Sequence, residues 1–125
     1  MLVDTDVLIW VLRGNHRAGA AVDQCPSRAI SIVTYMELIQ GARDKGELKA
    51  IKRFLTDLGF RTLPLTENIG HRASIYMEEY VLSDGLSMAN ALVAATAIEG
   101  NEPLLSGNVK HYRVLRELEL HPFRA

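Results

Sequence analysis

Short apolar runs alternate along this chain with longer stretches in which apolar side chains return every three or four residues. The short runs read as strands at Leu2 to Thr5, Ala29 to Ile32, Arg61 to Leu63, Pro103 to Ser106 and Glu119 to Pro122. Helical patterns fill the gaps, which predicts an α/β fold with a mainly parallel sheet, because parallel strands need long crossovers. An apolar run from Val7 to Leu12 starts the first helix, and Thr34-Tyr35-Met36-Glu37 has the form of a capping box opening another. The segment Glu47 to Leu58 stops at Gly59, a glycine C-terminal cap. From Thr66 to about Leu82 the positions Ile69, Ala73, Tyr76, Met77 and Tyr80 form an amphipathic stripe. Ser87 to Ala97 is rich in small residues and apolar on nearly all sides, which predicts a buried helix lying close against the sheet.

Acids stand at the end of the first strand. Asp4 and Asp6 follow Leu2-Val3 directly, and in open α/β sheets ligands collect outside the carboxyl ends of the strands. Oxygen-only clusters of this kind suit hard cations such as Mg²⁺ or Mn²⁺. Thr5 or Asp6 can equally serve as the N-cap of the helix beginning at Val7. Asp4 sits too early for that role and is costly to bury without a partner.

Composition narrows the picture. A length of 125 residues predicts one domain, residues 1–125, and a 48% hydrophobic, 23% charged balance is that of an ordinary globular protein. The lone cysteine, Cys25, can form no internal disulfide, and no basic leader or membrane-length apolar run is visible, so a cytoplasmic location is expected. Cys25 receives no functional role. A net charge of -1 argues against a general nucleic-acid binder. Arg13, His16 and Arg17 nevertheless cluster after the first helix, and Arg43, Lys45, Lys49, Lys52 and Arg53 recur through the middle. Such bases are compatible with a solvated face or with a phosphate track.

Four segments carry a family resemblance. Leu2-Val3-Asp4-Thr5-Asp6-Val7-Leu8-Ile9, Ser31 to Ala42, Asn90-Ala91-Leu92-Val93-Ala94-Ala95-Thr96-Ala97, and Leu104-Leu105-Ser106-Gly107-Asn108-Val109-Lys110-His111-Tyr112 resemble, in order and spacing, the four motifs of PIN-domain ribonucleases. More narrowly, the chain resembles the VapC-type toxins of toxin–antitoxin pairs, and the likeness extends to the ending Leu118 to Phe123. The resemblance implies a three-layer α/β/α sandwich and a metal-dependent endoribonuclease that cuts tRNA or ribosomal RNA. It further implies a cytoplasmic homodimer within a larger complex, neutralised by a VapB-like antitoxin lying in a groove near the site. DNA would be bound only through that antitoxin, and no membrane is involved.

By position, Asp4 and Glu37 match the family's metal-site acids, and Asp6 matches a position that varies between acid, serine and asparagine. Asn108 stands where relatives carry aspartate or asparagine, whereas Asn90 replaces a family aspartate. That departure removes a unit of negative charge. At ~4 Å and an effective dielectric of ~20, it forfeits about 4 kcal/mol of raw attraction per cation charge. The expected catalytic and metal set is therefore Asp4, Glu37, Asn90 and Asn108, with Asp6 in support, holding Mg²⁺ or Mn²⁺. The ion would lower the pKa of a bound water and neutralise charge on the leaving oxygen of a phosphodiester. Ser106, Arg13, Arg17 and Lys110 are the candidate RNA contacts. Asp84, in a Ser-Asp-Gly turn, reads as a turn residue.

Two other classes of function stay open on the sequence. Asn90 is compatible with a weak or inactive domain that serves as an antitoxin-binding module in transcriptional autoregulation. A small-molecule phosphatase would keep the acids, but the chain has no glycine loop of the kind that cradles phosphates.

Overall fold

A computed structural model describes residues 1–125. Five parallel strands form one sheet: β1 (Leu2–Val3), β2 (Ala29–Ser31), β3 (Arg61–Leu63), β4 (Leu104–Ser106) and β5 (Leu120–Pro122). Their spatial order is β3-β2-β1-β4-β5. Leu2 is in register with Ala29 on one side and with Leu104 on the other. The chain therefore winds outward from β1 in both directions, and the order reverses between β1 and β4, where open sheets place their ligands.

The strands alternate faces, and both faces are covered. Leu2, Ala29 and Leu104 enter one apolar cluster with Ile69, Ala73, Ala91, Ala94 and Tyr112. Their neighbours Val3, Ile30 and Leu105 enter the other, with Val7, Leu8, Val22, Leu38 and Leu55. Period-two burial on both sides is what a sheet between two helical layers requires. The expected three-layer α/β/α sandwich is observed. Each fully buried Leu or Val in these layers contributes roughly 1.5–3 kcal/mol relative to exposure.

Seven helices make the crossovers: α1 (Thr5–Leu12), α2 (His16–Asp23), α3 (Ile32–Gln40), α4 (Lys45–Asp57), α5 (Glu67–Asp84), α6 (Met88–Glu99) and α7 (Val109–Tyr112). Caps are drawn from nearby polar residues: Asn15, Asp44, Thr66 and Ser87 each accept a backbone N–H at the start of α2, α4, α5 and α6. The small residues of α6 are buried nearly all round, and α5 packs along it, as the sequence predicts. Gly59 and Gly85 take the left-handed conformation after α4 and α5. No helix is long and apolar enough to cross a membrane.

Three local expectations are corrected. The cap of α1 is Asp4, neither Thr5 nor Asp6: its side chain accepts from the Thr5 N–H, and the helix starts at once because the strand ends at Val3. The cap of α3 is Ser31, three residues before the Thr34 of the expected box, and Thr34 lies buried inside the helix. Helices α2 and α7 are not predicted by the sequence pattern: α2 (His-Arg-Ala-Gly-Ala-Ala-Val-Asp) buries only Ala18 and Val22 and so shows no apolar stripe, and α7 has only 4 residues.

Candidate metal and nuclease site

The site lies where β1 and β4 end side by side. The Asp4 N–H donates to the Leu105 carbonyl at 2.9 Å, carrying the β1–β4 ladder one step past the strands. Asp4 is 3% exposed. Its Oδ1 accepts from the Thr5 N–H at 2.9 Å, and its Oδ2 accepts from the Ser106 hydroxyl at 2.8 Å and the Tyr112 hydroxyl at 3.0 Å. Burial pushes this carboxyl above the ordinary range, the Ser106 bond pulls it back, and the neighbouring Asp6 charge adds to the rise.

Asp6 is held from the other strand. Its Oδ2 accepts from the Gly107 N–H at 2.9 Å, while its Oδ1 is buried with no hydrogen-bond partner. Burial raises this carboxyl too, opposed by the Gly107 bond. Gly107 has to be glycine here, since a Cβ would lie 2.7 Å from Asp6 Oδ2.

Glu37 comes from α3 and is exposed. Its Oε1 accepts from the Thr5 hydroxyl at 2.6 Å, and Thr5 in turn lies 3.0 Å from the Thr34 hydroxyl. Thr5 thus ties two acids together, its N–H on Asp4 and its hydroxyl on Glu37. Asn90, in the first turn of α6, places Oδ1 3.2 Å from the Tyr112 hydroxyl. These contacts link Asp4 to Glu37 through Thr5 and to Asn90 through Tyr112, while Asp6 is held separately by Gly107.

The remaining expected residues divide. Ser106 is fully buried and spends its hydroxyl on Asp4 while accepting from the Asn108 N–H, so it positions an acid and does not face outward. Asn108 is joined through its backbone, and its side chain makes no capping bond to α7. Arg13 is exposed above the Trp10 ring, 5.7 Å from its centroid, and shares a groove with Glu37. Arg17 and Lys110 are exposed and join no ion pair. Asp84 ends α5, where Ser83 donates to it at 2.7 Å. Tyr112, Gly107 and Thr5 belong to the site without having been expected there. A tyrosine directly after a strand-end motif was a usable signal, because a buried tyrosine needs a partner for its hydroxyl.

Beside Glu37 opens a groove of about 580 Å³ between α1, α3 and α4, walled by Ile9, Leu12, Leu38 and Ile51. Ile9 and Leu12 are 37% and 44% exposed along it.

The sequence model of the PIN domain matches residues 1–117. The chain belongs to the PIN domain family. It is 28% identical over 123 residues to the protein named Ribonuclease VapC19 of Mycobacterium tuberculosis, across 94% of this chain and 96% of that relative. Its fold is similar to that of a toxin–antitoxin complex from Klebsiella pneumoniae, with a TM-score of 0.83 and 26% identity over 99% of this chain and 98% of that one. VapBC2 from Rickettsia felis, bound to a DNA fragment from its promoter, shares the fold at a TM-score of 0.82 and 16% identity, over 98% of each chain.

Measured against a divalent cation, this PIN site is right in kind and short in charge. Its donors are all oxygens, and Asp6 Oδ1 is buried without a partner, which is the type of atom a cation satisfies. No three His, Cys, Asp or Glu side chains gather closely enough to form a metal-holding group, so Asp4, Asp6 and Glu37 do not by themselves converge on one point.

Proposed function

We propose that this chain is a VapC-like toxin: a Mg²⁺- or Mn²⁺-dependent endoribonuclease, acting on tRNA or ribosomal RNA, restrained by a cognate antitoxin. The observation that carries the reading is Asp4, an acid buried at the β1–β4 switch point and fixed by three donors, with the unpartnered Asp6 oxygen beside it. Burying a carboxylate costs several kcal/mol unless something repays it, and a cation does so. The relatives' printed names, a ribonuclease and a toxin–antitoxin complex, support the same activity and partner.

Asp4, Asp6, Glu37 and the Asn90 amide would hold the ion, with Asn108 at the rim. When bound, it lowers the pKa of a water and neutralises charge on the phosphodiester oxygens. The chain's own part is to keep those oxygens in place: Ser106 and Tyr112 orient Asp4, Gly107 orients Asp6, and Thr5 orients Glu37. Arg13 on the groove side, with Arg17 and Lys110, supplies positive charge for the RNA backbone. The exposed apolar wall of the groove suits an amphipathic antitoxin segment, and that antitoxin would supply any contact with DNA. As in the family, two copies would pair, in the cytoplasm.

A second reading rests on Asn90. With one charge fewer, the cluster binds a cation more weakly, and a quiet domain whose main work is to pair with its antitoxin becomes a distinct function. A cleavage assay on total tRNA and structured RNA, with Mg²⁺, Mn²⁺ or EDTA, separates the two. The nuclease reading expects metal-dependent fragments from the native chain, more from Asn90→Asp and none from Asp4→Ala. No fragments from either the native chain or Asn90→Asp would leave the binding module.

A further inference from the structure

Tyr112 is fully buried, and its hydroxyl touches two oxygens: Asp4 Oδ2 at 3.0 Å and Asn90 Oδ1 at 3.2 Å. A phenol has one proton and can satisfy one of them. Asp4 is the stronger claimant, as the shorter contact and the charged acceptor. Ser106 does not release Tyr112 from this duty, since its own proton is also committed to Asp4 while its oxygen accepts from Asn108. With that proton on Asp4, the Tyr112 and Asn90 oxygens face each other with no hydrogen between them.

A half-turn of the Asn90 amide removes the conflict. The two terminal atoms of an asparagine have the same shape and are told apart by their partners. We propose that Tyr112 is a positioning residue which accepts a hydrogen bond from Asn90 Nδ2, turning the Asn90 carbonyl oxygen to the position that has no partner within the protein. A relay then runs from Asn90 N–H to the Tyr112 oxygen and from the Tyr112 proton to Asp4, with both the proton and the oxygen of the phenol paired. Aspartate at position 90 has no proton to give such a relay, so the amide is fitted to a tyrosine at 112 and is more than a lost charge. The orientation also leaves the Asn90 oxygen unpaired, and so available as a neutral donor to a cation. That last step rests on the nuclease reading; the relay itself does not.

The test is the side-chain amide of Asn90 in ¹⁵N-labelled protein without added metal. One of its two protons should exchange with water at least about tenfold more slowly than those of the exposed Asn68, and should give a cross-peak to the Tyr112 ring. Tyr112→Phe should abolish that protection with the circular dichroism spectrum unchanged. Two fast-exchanging protons and no cross-peak in the native chain would overturn the proposal, and this readout stands even where Tyr112→Phe fails to fold. Calorimetric titration with Mn²⁺ supplies the second arm. Tyr112→Phe should bind 10–100-fold more weakly, the range for loss of a ligand's supporting partner, and equal affinity would overturn the positioning role. A native chain that binds no Mn²⁺ would sink the nuclease reading, while the amide signals would still decide the relay.

Discussion

The two ends of the site are built on opposite physical terms. At the Asp4 end the carboxylate is buried and both its oxygens are answered: Thr5, Ser106 and Tyr112 donate to one group that is 3% exposed. At the Glu37 end the acid is exposed and held by one hydroxyl, and the groove beside it shows Ile9 and Leu12 to solvent. Low dielectric strengthens whatever is paired and punishes whatever is not, so the buried end can fix atoms but cannot adapt. Exposed apolar surface has the reverse property, since it costs little to leave open and gains on being covered. On the proposed function, catalytic geometry would belong to the first region and partner recognition to the second.

The largest effect that could break this division is Asp4→Ala. RNA cleavage should fall about 10³-fold, the equivalent of ~4 kcal/mol of lost transition-state stabilisation; retained cleavage would move the chemistry elsewhere. Next is Leu12→Asp in the groove. Antitoxin affinity, read by calorimetry, should drop by ~2 kcal/mol, about 30-fold, with free-toxin cleavage unchanged. Equal losses in both would show that the two ends are one surface. Gly107→Ala sharpens the picture on the buried side, because its Cβ would lie 2.7 Å from Asp6 Oδ2 and 3.2 Å from the Phe123 carbonyl. Stability should fall by roughly 1–2 kcal/mol in a denaturant titration, with the Tm down by about 4–8 °C.

The smallest effect is of opposite sign. Asp6→Asn keeps an oxygen for the Gly107 N–H and puts an amide where a charged oxygen has no partner, so the Tm should rise by about 2–4 °C. The gain should depend on pH. Burial holds the Asp6 proton above the ordinary value of 3.8, so between that value and the raised one the folded state carries more protons than the unfolded chain. Native stability therefore falls as pH rises through this window, and the advantage of Asp6→Asn should grow through it and then level off. A constant advantage from pH 3 to pH 7 would show that the Asp6 carboxyl is not strained by burial.

The three central strands β1, β2 and β4 are legible as short runs buried on both faces, whereas the edge strands β3 (Arg-Thr-Leu) and β5 (Leu-His-Pro) are largely exposed and carry polar residues. Asp4 was legible from its place at the end of the first strand, and Glu37 and Asn90 through the family resemblance, although Glu37 lies in the second turn of α3 and only Asn90 in a first helical turn. The capping of α1 and α3 was misread by one to three residues. Asp4 and Ser31 each end a strand connection and begin a helix, and a residue serving both elements matches neither pattern cleanly.

Other contacts had no local signature. Tyr112 meets Asp4 across 108 positions, and Gly107 meets Asp6 across 101. The groove beside Glu37 is assembled from three helices whose sequences each look like an ordinary amphipathic surface. The sequence by itself determined where strands alternate with helices, that the sheet is mainly parallel, and that acids stand at the end of the first strand, because these follow from periodicity and local chemistry; the three-layer arrangement came from the family resemblance. The tertiary structure alone decided which acid is buried, which donors surround it, and that one phenol proton lies between Asp4 and Asn90. Those depend on distances between residues remote in the chain, and no local pattern carries a distance.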